Sequence, residues 1–461
     1  MRTLWMYTVR AAMVAVVGAG IACAGSAQAG ATAVRARSAA APGPSCSNPS
    51  DAVLAIRVAT SAPERDIKAG RGGFPDAIVF GPNGKTAYVT LAGDDEVLPI
   101  STGASKPGRA VKVGSFPDAI TITPNGRTVY VGNDGSDTVT PISAAGDKPG
   151  RPIKVGVSPG VIGITPNGRR VYVGNGFFIQ IPSSTPNNAV VPINTATNSV
   201  GRALLVAGDV KEKTGSADAF AFTRNGQTAY VAVGGTDEVD PIRVAGDKLG
   251  RPIQAGADPG PIVITPNGKT AYVADLGADT VTPFSIATGR PGRAITIGAK
   301  LGPEAATAAI ALTPDGKTLY VGTNSEEPGE DDTVTPVSTA TNRPGKAIRV
   351  GQGIDAIAIT PNGKTAYVTS FNAGTVTPIR LAAGTAGKPV NVGTDLGPIT
   401  IAITPNGATL YALDAATCAS PVPPGSSAAA AAASMRSTCS VALALAPASS
   451  PCDRAGRTAS A

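Results

Sequence analysis

Thr123-Pro124-Asn125-Gly126-Arg127-Thr128-Val129-Tyr130-Val131 is the stretch whose reading decides the fold. Proline presets φ for the second position of a type I turn, and asparagine suits the third. Glycine then takes the left-handed conformation from which a new strand can start. Ala119–Thr123 before the turn and Thr128–Val131 after it both have the period-2 character of strands, so the stretch reads as a tight hairpin. Its glycine recurs at Gly84, Gly126, Gly168, Gly226, Gly268, Gly316, Gly363 and Gly407, at spacings of 42, 42, 58, 42, 48, 47 and 44 residues. Seven copies keep the proline, and the fourth has Arg224 in its place.

Each hairpin supplies strands A and B, and two further segments follow it. Thr138-Val139-Thr140-Pro141-Ile142 typifies strand C, and Arg151-Pro152-Ile153-Lys154-Val155 typifies strand D. Four short strands with their turns need about 40–45 residues, the length of a propeller blade. The expected fold is therefore all-β, a β-propeller of four-stranded antiparallel blades. Eight blades are favoured, with seven and one unit outside the ring as the alternative. Strand A is the most apolar and is expected innermost; proline in C and D is expected to mark unpaired positions toward the edge. The eighth A–B pair is expected to be completed by Ala52–Arg57 and Asp66–Lys68, removing the exposed edge. Ser440–Leu445 competes for the same place.

Every tyrosine beyond residue 29 stands four positions after a turn glycine: Tyr88, Tyr130, Tyr172, Tyr230, Tyr272, Tyr320, Tyr367 and Tyr411. A catalytic tyrosine is one special residue. Eight equivalent ones read as a packing device between blades, with each hydroxyl reaching backbone or water.

Pro361-Asn362-Gly363-Lys364-Thr365-Ala366-Tyr367-Val368-Thr369, followed by Thr375-Val376-Thr377-Pro378-Ile379, resembles the YVTN-family β-propeller repeat. The resemblance runs from about residue 52 to 414. It implies a propeller related to surface-layer and periplasmic proteins, and no particular reaction. Strand B here mostly ends in Val-Gly, Val-Ala or Val-Thr, without the family's full tetrad.

The flanks carry different signals. Arg2 and Arg10, the apolar run Ala11–Gly25 and Ala27-Gln28-Ala29 read as a signal peptide over 1–29, with a lipoprotein site at Cys23 the weaker reading. Its removal leaves 37 bases against 32 acids, about +5, which names no partner by itself. Residues 30–49 read as a disordered leader, 50–414 as the propeller, and 415–461 as a flexible Ala/Pro/Ser-rich tail able to complete the last blade. Cys46, Cys418, Cys439 and Cys452 lie outside the repeats and suit disulfides, with three connectivities open. No other stretch approaches membrane-spanning length. A secreted or cell-envelope monomer is expected.

Strand order places A–B and C–D loops on one face and B–C and D–A loops on the other. The first collects bases such as Lys85, Arg127, Arg169, Lys269, Lys317 and Lys364, with Lys106, Arg109, Lys148 and Arg151 from C–D loops. The second collects acids and the insertions 174–188, 208–217, 298–307 and 322–332, and is the expected binding surface, Phe177 and Phe178 included. Glu326, Glu327, Glu330, Asp331 and Asp332 offer oxygen ligands for Ca²⁺, without the spacing of a calcium loop. Asp76, Asp118, Asp218 and Asp355 stand at the start of strand A and are expected near the channel mouth, capping loops or facing a cation or substrate.

The chain has no histidine, which excludes a Ser-His-Asp triad and a His general base. Eight-bladed quinone dehydrogenases carry a tryptophan signature in their blades, and the sole tryptophan here, Trp5, falls in the signal. The function expected is a non-enzymatic binding or scaffold module for a protein or cell-wall glycan. The alternative is a lactonase-like hydrolase working through Asp76, Asp118 and Asp355. Nucleic acid is a poor fit, because no aromatic stacking platforms interleave the bases.

Overall fold

Blade 1 shows how the sequence builds the repeat. Strand A is Pro75–Phe80, B is Thr86–Leu91 and C is Glu96–Ser101, paired antiparallel in that order. The computed structural model describes residues 52–69, 73–175, 189–206, 215–297, 306–325, 331–392 and 398–414. In these residues the same arrangement recurs in eight separate sheets, and no α-helix is present. Each strand A lies beside those of both neighbouring blades, including blade 8 (Pro398–Ile403) beside blades 7 and 1, so the ring is closed. Strands B and C are almost wholly buried, whereas strand A is half-buried where it borders the central channel. The expected eight-bladed propeller is the observed one.

Blade 8 is assembled from both ends of the repeat region. Its strand B, Thr409–Asp414, pairs with Ala52–Arg57 in position C, which pairs with Ala62–Lys68 in position D. Ser440–Leu445 lies outside the described residues, and Ala52–Arg57 fills the place it competed for.

The tyrosines join the blades. All eight rings are buried. Tyr130 donates to Asn198 Oδ1 at 2.8 Å, Tyr172 to Asp247 Oδ1 at 2.6 Å and Tyr272 to Asn342 Oδ1 at 2.8 Å. Each acceptor sits in the C–D turn of the next blade. Tyr367 and Tyr411 do the same across the closing seams, to the Val58 and Thr102 carbonyls. Around them, each core cluster takes side chains from two blades, as Tyr88, Val97 and Val111 with Ile122, Val129 and Ile142 do.

Proline in strand C corrects the expectation from sequence. Pro141 is a paired residue, opposite Tyr130. Its carbonyl accepts from Gly150 N at 2.7 Å, so the N–H it lacks faces strand D. Strand D consequently buckles at Gly150 and splits into Lys148–Pro149 and Ile153–Lys154. Blade 8 is the natural control. It has Ala55 where other blades have proline, and its strand D is a single element of seven residues, with a bulge at Glu64 in place of the split. Lys106 and Lys148 thus belong to the first half of strand D rather than to C–D loops.

The A–B turns form a collar at one end of the channel. Gly126 has φ 69°, and a methyl group there would meet Cδ of Pro82 in the preceding blade at 3.0 Å. The same contact continues around the ring to Gly84 against Pro405. The one break is at Gly268, which has no neighbour within 4 Å because the preceding turn carries Arg224 instead of proline.

Candidate functional site

At the opposite end of the channel, the strand pairing of the innermost hairpins is interrupted at one recurrent place. The register shifts between Pro75 and Ile78, Pro117 and Ala119, Ala217 and Ala219, and Thr307 and Ala309. A β-bulge re-aims the side chain that it leaves unpaired. The residues so released include Asp76, Asp118 and Asp218, while Asp355 holds the same position just ahead of strand Ile357–Ile359. In blades 1 and 7, a threonine of strand B braces the bulge: Thr90 Oγ1 accepts from Ala77 N at 2.9 Å, and Thr369 Oγ1 from Ala356 N at 2.8 Å.

These carboxylates differ in surroundings. Asp76 and Asp355 are half-buried by surface area yet enclosed by protein around the channel, and desolvation pushes both up to about 7. Asp332 adds to the effect at Asp355. Asp118 is raised well above the usual carboxylate range, first by desolvation, then by the charges of Asp134 and Asp76. Its Oδ1 is shut off from solvent with no hydrogen-bond partner. Asp134, from the B–C loop of blade 2, is raised by burial as well, and Ser158 Oγ donates to it. Asp218 accepts from Ser216 Oγ at 2.6 Å. Blades 1 and 2 therefore set Asp76 and Asp134 near enough for their charges to act on Asp118, while Asp218 and Asp355 hold the equivalent strand position in other blades.

Asp332 is a brace in the described structure. Its two oxygens accept backbone N–H groups from Ser325, Gly353 and Ile354, which ties a B–C loop to a D–A loop. Asp331 is exposed. Glu326, Glu327 and Glu330 lie outside the described residues, as do Phe177, Phe178, Cys46, Cys418, Cys439 and Cys452. Among the described residues no three acidic or sulfur side chains are grouped to hold a metal ion.

Other acids of this face brace loops in the same way. Asp95, Asp137 and Asp237, all left-handed with φ near 57°, accept the N–H of Phe116, Ser158 and Asp258. The sequence reading missed one repeated position, three residues after each tyrosine. It holds Asn133, Asn175, Asp275, Thr323, Ser370 and Asp414, all buried. Asn133 Nδ2 donates to Thr138 and Thr140, and Asp275 accepts from Thr280, Thr282 and Gly256 N. The signal was a polar residue at this position in six of the eight copies, with Leu91 and Val233 in the other two, visible only when the copies are aligned on tyrosine.

The collar face carries cations and two shallow hollows. Lys85, Arg127, Arg169, Lys269, Lys317 and Lys364 are exposed there. Hollows of about 430 Å³ each flank the Ala408 turn of blade 8, one lined by Arg57, Arg65, Ser105 and Asn406, the other by Val58, Ala59 and Asn362. Arg57 is held by Glu64 at 2.6 Å.

No protein-family model matches this sequence, and no curated protein matches it. Solved structures do. Hydrazine synthase of Kuenenia stuttgartiensis is 21% identical over 74% of this chain and 93% of its own, with a TM-score of 0.49. The dihydro-heme d1 dehydrogenase NirN, solved in complex with DHE, is 14% identical over 75% of this chain and 74% of its own, at 0.58. A Bacteroides fragilis protein described as a 6-phosphogluconolactonase is 16% identical over 75% of this chain and 96% of its own, at 0.50. The latter two likenesses bear on the propeller fold alone.

Proposed function

We propose that this chain is an exported, monomeric propeller of the YVTN type that binds a protein or cell-wall glycan of the cell envelope without catalysing a reaction on it. The observation that carries the reading is the asymmetry between the two ends of the ring. At the collar end the turns are short, repeated and packed proline on glycine. At the other end stand the carboxylates of the channel mouth and the strand ends, such as Gly174 and Ala189, between which the sequence carries the insertions that break the repeat. A rigid scaffold displaying irregular loops on one side is the usual arrangement of a recognition module. The absence of histidine weighs against hydrolysis by a Ser-His-Asp triad.

The test is retention of envelope material from the producing cell on the immobilised full chain. Wild type and a collar variant (Lys85→Glu with Lys364→Glu) are expected to retain the same component. A variant with residues 176–188 replaced by a short Gly-Ser linker is expected to lose it. Retention lost only in the collar variant would contradict the assignment of faces. Turnover of a lactone by the purified chain would contradict the non-enzymatic reading.

A further inference from the structure

The carboxylates between blades 1 and 2 differ from the acids that brace the loops of the same face. Asp95, Asp137, Asp237 and Asp332 are satisfied by backbone N–H groups. Asp118 is satisfied in part: backbone N–H groups of Asp118 and Ala119 support its carboxylate, yet its Oδ1 is buried with no partner. No lysine or arginine pairs with Asp76, Asp118 or Asp134 among the described residues; pairs such as Arg57–Glu64, Lys112–Glu96 and Arg170–Asp247 lie elsewhere. A buried carboxylate without a counter-charge is costly, and the fold retains one beside two others.

Each member of the cluster is placed by the architecture rather than by a mobile loop. Asp118 is the unpaired residue of the bulge in Pro117–Ile122. Asp134 is fixed by its own N–H, which donates to the Phe116 carbonyl at 2.9 Å. On the far side, blade 3 has Gly160 at the equivalent position, and a methyl group there would stand 3.8 Å from Asp118 Oδ2. Asp118 thus faces a position left without a side chain.

A single metal ion does not suit this arrangement, because no three of the described carboxylates converge to hold one. An organic cation does. Ammonium and guanidinium groups spread several N–H donors over space and satisfy separated carboxylates by charge-assisted hydrogen bonds.

We propose that Asp76, Asp118 and Asp134 form a binding site at the channel mouth for an organic ammonium or guanidinium group presented by the ligand. The inference rests on the assignment of this face as the binding surface and specifies what that surface recognises. Burial raises all three carboxyls; the charges of Asp134 and Asp76 add to the effect at Asp118, and that of Asp137 adds to it at Asp134. A bound cation stabilises their ionised forms, so affinity rises as pH passes upward through 7.

The test is calorimetric titration of the full chain with agmatine and with spermidine in low salt at pH 8.0 and 5.5. Wild type is expected to bind at pH 8.0 at least tenfold more tightly than at pH 5.5. Asp118→Asn and Asp134→Asn are each expected to weaken binding tenfold or more, and Asp315→Asn, on the collar, to leave it unchanged. Melting curves of each variant establish that it is folded. No binding by folded wild type, or binding that Asp118→Asn leaves intact, overturns the proposal. So does a calcium chloride arm that binds while both amines do not. Envelope retention by wild type without amine binding would defeat this inference and leave the binding face standing. Amine binding without envelope retention would do the reverse.

Discussion

Tyr367 in strand B of blade 7 donates its phenolic hydrogen to the Val58 carbonyl 3.0 Å away, in the C–D turn of blade 8. The two residues are 309 apart in sequence. What joins them is a rule shared by seven of the eight tyrosines: the phenol reaches the next blade's outer turn, and the last two reach turns from the N-terminal half. The ring is thereby closed by side chains as well as by the strand pairing of Ala52–Arg57 with Thr409–Asp414.

Tyr272 measures what one such wedge contributes. Its ring is 1% exposed and its hydroxyl donates to Asn342 Oδ1 at 2.8 Å. Tyr272→Ala is expected to cost about 3–5 kcal/mol, as large aromatic truncations in cores do. Tyr272→Phe keeps the ring and is expected to cost about 1 kcal/mol, the loss of one hydrogen bond. Denaturant titration separates the two; equal losses would mean that the ring packs little.

Strand C of blade 8 offers a test of why the outer strands split. Ala55 pairs with Tyr411 on one side and Arg65 on the other. Ala55→Pro removes the N–H that a continuous strand D uses and is expected to destabilise by about 1–3 kcal/mol. Amide exchange over Ala62–Lys68 is expected to accelerate, while exchange over Thr409–Asp414 changes little. Unaltered exchange over Ala62–Lys68 would show that proline is not what breaks strand D.

Arg224 marks the gap in the collar. Its turn closes like the others, with Gly226 N donating to the Thr223 carbonyl at 2.7 Å. Arg224→Pro restores the contact to Gly268 and restricts the unfolded chain, with an expected gain of about 0.4–1 kcal/mol. A loss in the denaturant midpoint would contradict the packing role given to the other seven prolines.

The channel mouth makes stability depend on pH. Asp76 and Asp355 sit at about 7 in the folded chain and near 3.8 once unfolded. Between those values the folded state binds protons that the unfolded state releases, so their stabilising contribution is full at acid pH and lost as pH rises through 7. Asp76→Asn abolishes this contribution. Its melting temperature is expected to match wild type near pH 4 and to exceed it at pH 8, by about 1–3 kcal/mol in free energy. A constant offset across that range would contradict the burial argument.

Much of this molecule was legible because one unit is written eight times. Thr-Pro-Asn-Gly and the tyrosine four residues after its glycine are local signals, and duplication removes their ambiguity. The blade count, the inner position of strand A and the closure by Ala52–Arg57 followed from that alignment. Strand D was misjudged because the reason for its break lies on a different strand, in the N–H that Pro141 lacks. The bulge that turns Asp118 toward the channel is likewise a property of register, invisible in a strand read singly. Asn133 and Asp275 escaped because their work is done against Thr140 and Thr282 on the neighbouring strand C. For Phe177, Phe178 and the cysteines, the description of the fold stops short of the residues concerned.

The closing seam can be measured directly. Arg57 and Thr409 are directly opposed in blade 8. Facing residues of an antiparallel pair lie about 4.5–5.5 Å apart at Cα, within disulfide range. In a chain whose own cysteines are replaced by serine, Arg57→Cys with Thr409→Cys is expected to form an intramolecular disulfide quantitatively under mild oxidation, with faster migration on a non-reducing gel. Two thiols that stay free and fully reactive in the folded chain would mean that the N-terminal hairpin does not complete the last blade.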